Sequence, residues 1–406
     1  MNYSLLRGAA VPSSLREVNL SIIFNLLRAE GILSRAEIVR RTGISGPTVS
    51  SAIKFLSSKA IITEIGAGQG NLGRKPILLR FNPEAALTVG IDMGGNSIDL
   101  ALVDMAGRIK ADLSHPCAGY TISGEDLAIL PDLVKTLLAK LDGGLKRILG
   151  VGVGIPGVTD PETHAVSFAP QLGEVSLKAE WGPLKQLLED QFSIPLNVEN
   201  DVNAAALGEQ QARGRDCPSN FVFVSVGGGI GAGLVLDGRL YRGAHNAAGE
   251  ICYMVFNDAN NSSISDGFGN LERIASCPAL IARARELGWN PPQHAGGVGE
   301  EIRQLGMDSV QGDHLARQAL TQEAEYLALA LANTVSIYDP GLVVLGGVIN
   351  EAGTWFIDLL NEYLNRICPL PVRIEVSKNG SKAGLVGAAA VAFAANYPKM
   401  LLGVTG

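Results

Sequence analysis

Apolar residues at Val18, Ile22, Ile23, Leu26 and Leu27 recur at the three- and four-residue spacing of one helical face, and Gly31 closes the helix they predict. Ser34 followed by Glu37 has the spacing of a capping box, so a second, short helix is expected up to the break at Gly43. A third is expected from Ser45 as N-cap, with Pro47 in its first turn and Val49, Ile53 and Leu56 as its buried stripe. At about 100° per residue, its opposite face carries Pro47, Ser51, Lys54 and Ser58. The pattern then shifts toward period two. IITEI (61–65) and PILLRF (76–81) read as strands joined by GAGQGNLGRK, a glycine-rich loop ending in Arg74 and Lys75. Three helices and a basic hairpin in this order predict a winged helix-turn-helix over residues 1–83.

Past residue 84 the texture changes to apolar strands punctuated by glycine. LTVGIDMGG and SIDLALVDMAGRI predict a hairpin turning at Gly94 and Gly95, and ILGVGVGIPGVTD (148–160) a buried strand followed by a Pro-Gly turn. IPLNVENDVNAAALGE (194–209) runs from strand into helix, with Glu199, Asn200, Asp201 and Asn203 at the junction. NFVFVSVGGGIGAGLVLDGRLYRG (220–243) is a second hairpin around a glycine cluster, and LVVLGG (342–347) a strand ending in paired glycines. Two units of strand, glycine turn and strand, each followed by mixed helices and strands, imply a duplicated α/β architecture. A first lobe is expected over 84–196 and a second over 197–380, with a small-residue helix at 381–395 packing back on the first. A ligand is expected in the cleft between them. The Leu- and Ala-rich helix at 315–337 reads as core or as a dimer contact.

Charge sharpens the division. The 406 residues carry a net −7, but residues 1–80 hold eleven Lys or Arg against four acids, +7, leaving −14 on the rest. A basic head on an acidic body is the footprint of a nucleic-acid-binding module fused to something that does not bind nucleic acid. Thr48, Ser51 and Lys54 are the candidates for base contacts, and Arg40, Arg41, Arg74 and Lys75 for phosphates. Because a lone module binds weakly, a homodimer or homotetramer on paired half-sites of double-stranded operator DNA is expected. The five cysteines form no CxxC pair, and no run of 18 apolar residues occurs, so a reduced, cytoplasmic protein that does not enter membranes is expected.

The ordered set of motifs resembles the ROK family of bacterial repressors and sugar kinases. It resembles the repressor branch most, in which a winged helix is fused to an actin- and hexokinase-like double lobe. The resemblance spans nearly the whole chain. It implies that Asp92, Gly94 and Gly95 descend from a phosphate-binding hairpin whose usual Thr is Asn96 here. It likewise implies that Gly229 and Gly231 descend from a second phosphate loop whose Thr is Gly228. Each lost hydroxyl is a hydrogen bond to a charged group, worth about 1.5–3 kcal/mol. The resemblance implies sugar contacts at Gly157, Asn200, Asp201, Glu250, Tyr253 and Glu272, with Asp201 as general base if the protein is a kinase. The family's zinc ligands are replaced by Tyr253, Ser265 and Asn270, so no metal cofactor is expected. The expected function is a sugar-responsive transcriptional repressor without enzymatic activity. The alternatives are an ATP-dependent sugar kinase with an added DNA-binding head, and a protein-interaction module on a structural lobe pair.

Overall fold

The computed structural model describes residues 15–67, 77–94, 97–117, 123–141, 144–169, 177–256, 268–291 and 297–402. The head comprises α1 (Leu15–Glu30), β1 (Ile32–Ser34), α2 (Arg35–Thr42), α3 (Gly46–Ser58), β2 (Ile62–Ala67) and β3 (Ile77–Phe81). The capping box at the start of α2 is formed as its sequence requires. The Ser34 N–H donates to Glu37 Oε2 at 2.8 Å, and the Glu37 N–H donates to Ser34 Oγ at 3.2 Å. Gly43 ends the helix at φ 70°, in the left-handed region. Ser45 holds the N-cap position of α3 but does not cap it with its side chain. Its hydroxyl pairs instead with that of Thr48 at 2.8 Å. Val49, Ile53 and Leu56 are buried, joined by Ala52. The wing gains a strand that periodicity did not predict: three-residue β1 pairs with β3, giving the order β1-β3-β2.

The first lobe contains β4 (Leu87–Asp92), β5 (Ser97–Asp104), β6 (Ile109–Pro116), α4 (Gly124–Ala128), α5 (Leu130–Leu138), β7 (Ile148–Ile155), the short pair β8 (Val158–Thr159) and β9 (Val166–Ser167), α6 (Leu177–Lys185) and β10 (Leu196–Asn200). Its five-stranded sheet has the order β10-β7-β4-β5-β6, with β4, β7 and β10 parallel. The expected boundary between residues 196 and 197 falls inside β10, which belongs to this sheet. Next come α7 (Asp201–Arg213), β11 (Phe221–Val226), β12 (Ile230–Leu236), β13 (Arg239–Tyr241), α8 (Asn270–Ala275), α9 (Cys277–Glu286), α10 (Val298–Gln311), α11 (His314–Tyr338), β14 (Val343–Gly346), α12 (Thr354–Ile367), β15 (Ile374–Val376) and α13 (Ala383–Leu402). The second sheet, β13-β12-β11-β14-β15, repeats the strand order of the first read from its other edge. The duplication is therefore one of topology.

The layers follow from which face of each helix is apolar. Val134, Leu137, Trp181 and Leu184 of α5 and α6 bury one face of the first sheet, while Leu385 and Ala389 of α13 lie on the other. Helices α8 to α12 cover one face of the second sheet, and Ala205 and Ala206 of α7 cover the other. The inner side of α11, including Leu320, Leu327 and Leu331, belongs to that second-lobe core. Helices α7 and α13 thus lie back to back between the two sheets. Close approach there is set by absent side chains. A Cβ on Gly152 of β7 would overlap the Ala388 carbonyl of α13, and one on Gly387 would overlap the Ala204 carbonyl of α7. This burial explains why α13 is apolar enough, by length and composition, to cross a membrane: it is a core helix, with Leu385, Val386, Ala388, Ala389 and Ala392 buried.

The far end of α13 leaves the body and enters the head. Phe393, Tyr397 and Leu401 share one apolar cluster with Phe24, Leu27, Ile53, Leu56 and Phe81.

Candidate functional site

Strands β4, β7 and β10 are parallel, so their carboxyl ends converge, which is where open α/β sheets bind ligands. Asp92 ends β4, Asn200 ends β10, and Asp201 opens α7. Asn200 Oδ1 accepts the Asn203 N–H at 2.9 Å and so caps α7, while its Nδ2 donates to the Gly157 carbonyl at 3.1 Å. One side chain therefore fixes both the IPG turn and the helix start; Gly157 holds that turn at φ 105°. Asp92 Oδ1 accepts the Gly94 N–H at 3.1 Å, and Asp201 Oδ1 accepts the Val202 N–H at 2.9 Å. A Cβ on Gly94 would sit 3.3 Å from both Asp92 Oδ1 and Asp201 Oδ2, so this glycine is wedged between the two carboxylates.

Burial pushes the Asp92 carboxyl up to about 7, with the Asp201 charge adding to it. Burial likewise pushes Asp201 up to about 6. The pair is held ready to accept hydrogen bonds, at a cost in the empty protein. Unfolded Asp ionises near 3.9, so between about pH 4 and 7 the folded chain holds protons that the unfolded chain has lost, and stability falls as pH rises through this window. The Asp92→Asn variant is expected to gain on the wild type as pH goes from 5 to 8, by about 2 kcal/mol, read by urea unfolding at both pH values. A difference independent of pH would show that Asp92 titrates normally.

The second lobe completes the site. Glu250 precedes a tight turn at Ile251–Tyr253, accepts the Cys252 thiol at 3.6 Å, and is pushed up by burial and by the Asp201 charge. Gly269, at the head of α8, packs directly on the Cys252 carbonyl. That contact places buried Glu272, in the first turn of α8, where its charge acts on both Cys252 and Tyr253. The phenol of Tyr253 and the amide of Asn270 at the start of α8 are not zinc donors; Ser265 lies outside the described residues.

Among the inferred phosphate-loop positions, Gly95 and Asn96 lie outside the described residues. Gly227 to Gly229 form the tip of the β11–β12 hairpin, the Gly227 N–H donating to the Gly229 carbonyl at 2.9 Å. A Cβ on Gly231 would lie 3.0 Å from Val202 Cγ2, a tight contact where the second sheet packs on α7, so packing alone favours a glycine there.

On the head, Pro47, Ser51, Lys54 and Ser58 are exposed together along α3, with Thr48 half-buried at its start. Arg40 is exposed on α2. Arg41 is held by Glu30 at 2.6 Å. Arg74 and Lys75 lie outside the described residues.

A profile of the ROK family matches residues 88–395. The chain belongs to the ROK family. Within ROK, it is similar over most of its length to repressors. A putative xylose repressor of Caldicellulosiruptor sp. strain Rt8B.4 is 30% identical over 387 residues, 93% of this chain and 96% of that protein. The N-acetylglucosamine repressor of Escherichia coli O157:H7 is 22% identical over 86% of this chain and 85% of its own. Among solved structures, a ROK family transcriptional regulator described as a homolog of the E. coli MLC protein superposes with a TM-score of 0.75 at 24% identity, covering 96% of this chain and 98% of its own. A ROK family glucokinase from Streptomyces griseus, solved with glucose and AMPPNP, gives 0.62 at 26% identity and covers 75% of this chain and 98% of its own.

Two features of this ROK site were not foreseen. Arg242, just past β13, donates to buried Glu199 Oε2 of β10 at 2.6 and 3.0 Å, an ion pair that ties the two lobes together beside Asn200. Gly384 of α13 abuts Asp92 so closely that a Cβ would collide with its carboxylate. Neither has a local sequence signal, because each partner lies in a distant segment.

Proposed function

We propose that the protein is a DNA-binding transcriptional repressor of sugar uptake or catabolism genes, and that its effector is a sugar held between the lobes of its ROK body. One observation carries this reading: an exposed small-polar face on the third helix, in a winged head whose core is completed by the last helix of a sugar-kinase-like body. The repressor names of relatives aligned over head and body support it. Asn200, Asp201, Glu250 and Glu272 bind the sugar hydroxyls, with Gly157 backbone and Tyr253 shaping the pocket. Asp201 serves as acceptor and not as a catalytic base. Thr48, Ser51 and Lys54 face bases, and Arg40, Arg41, Arg74 and Lys75 the phosphates, in a dimer on paired half-sites. No zinc takes part, since the phenol and amide at two of the ligand positions are not donors to it.

The test is fluorescence anisotropy with the DNA upstream of the protein's own gene, across a salt series, with and without a sugar panel headed by xylose. Affinity should fall steeply with salt, and one sugar should shift it. Lys54→Glu should weaken binding by about tenfold or more at moderate salt and flatten the salt slope by one to two contacts. Wild-type affinity in that variant would remove α3 from the interface. The retained pair of Asp92 and Asp201 favours a second reading, sugar phosphorylation. ADP release from ATP and magnesium with the same panel, abolished by Asp201→Asn, would establish it.

A further inference from the structure

We propose that α7 and α13 form a single strut running from the sugar cleft to the DNA-reading head, and that Arg215, Phe393 and Arg28 are the positioning residues that seat the head on it. This rests on the sugar-responsive reading above. At the cleft end, Asp201 opens α7, and Gly384, in the first turn of α13, abuts Asp92. In between, the helices interlock without side chains. A Cβ on Gly208 of α7 would meet the backbone of Gly387 at 2.8 Å, and one on Gly387 would overlap the Ala204 carbonyl. Helices in such contact move together or not at all, since neither backbone has slack to slide.

At the far end, both helices reach the head. Arg215, two residues past α7, pairs with Glu30 at the end of α1, and the same carboxylate accepts Arg41 of α2. The Phe393 and Tyr397 rings of α13 stack at 5.2 Å, and Phe24 of α1 stacks on both, at 6.3 and 5.6 Å. Arg28 lies over the Phe393 ring at 4.8 Å. At 1.5 Å per residue, the 13 residues of α7 span about 20 Å and the 20 residues of α13 about 30 Å. The strut also lies between the two sheets, so a change in the angle between the lobes must be taken up at its surface. A sugar that closes the lobes therefore shifts the platform under α1, and with it α3.

The experiment uses the full chain and three variants: Arg215→Ala, Phe393→Leu and Arg215→Lys. Without sugar or DNA, hydrogen exchange of the α1 amides should speed up in Arg215→Ala and Phe393→Leu and stay near wild type in Arg215→Lys. With ligands, calorimetry should give an unchanged sugar affinity in all three. The ratio of DNA affinities with and without sugar should fall from the ~5–150-fold typical of coupled sites to near 1 in the first two and recover in Arg215→Lys. Unchanged α1 exchange in both Arg215→Ala and Phe393→Leu, or a wild-type coupling ratio in both, overturns the proposal. If wild-type DNA binding ignores every sugar, the repressor reading fails instead, and the exchange arm still decides how the head is seated.

Discussion

Asp201→Asn is expected to lower sugar affinity by about 100-fold while leaving the melting temperature unchanged or raised. Asp201 is half-buried beside Asp92, and its charge raises the Asp92 pKa as well as being disfavoured itself. A sugar hydroxyl donating to a carboxylate is worth about 1.5–3 kcal/mol, and one carboxylate can accept two. The amide keeps the oxygen that accepts the Val202 N–H, so the start of α7 survives the change. What is lost is the charge, which burdens the empty protein and serves only the occupied one. Titration calorimetry gives the first quantity and thermal unfolding at pH 8 the second. A clear fall in melting temperature with sugar affinity intact would make Asp201 a structural residue.

Gly387→Ala and Gly124→Ala should move stability in opposite directions. The added methyl is the same, and both positions are helical. In α13 it overlaps the Ala204 carbonyl, which is backbone and cannot rotate away, so α7 and α13 must separate along their shared length. A loss of about 3 kcal/mol or more is expected, at the upper end of overpacking effects. At Gly124, which opens α4 and is followed by Glu125, nothing lies within 4 Å of the new methyl. There the gain is about 0.5–1 kcal/mol from reduced freedom of the unfolded chain. Urea unfolding of the two variants measures both. A tolerated Gly387→Ala would mean that the helix pair is not close-packed, and the strut would lose its basis.

Much of this was written locally. The Ser34–Glu37 box, the Gly43 stop and the buried stripe of α3 depend on residues within one turn of each other, so spacing alone predicts them. Strand β1 escaped because three residues are too few to show a period, and because its pairing to β3 depends on a segment distant in sequence. The candidate sugar residues came through resemblance. Asn200 and Asp201 sit at an evident strand-to-helix junction, but nothing local distinguishes Glu250 or Glu272 from surface carboxylates.

Sequence by itself determined the parts: a basic winged head, two α/β lobes with their glycine turns, the motifs of the ROK family and the polar face of α3. Only the tertiary structure decided how the parts are joined. Glu199 meets Arg242, Glu30 meets Arg215, Asp92 meets Gly384, and the aromatic end of α13 fills the head. The physical reason is that helix and strand patterns report only which face of an element is buried. Which element covers that face is settled by shape and charge matching between segments far apart in the chain, and that matching leaves no periodic trace along it.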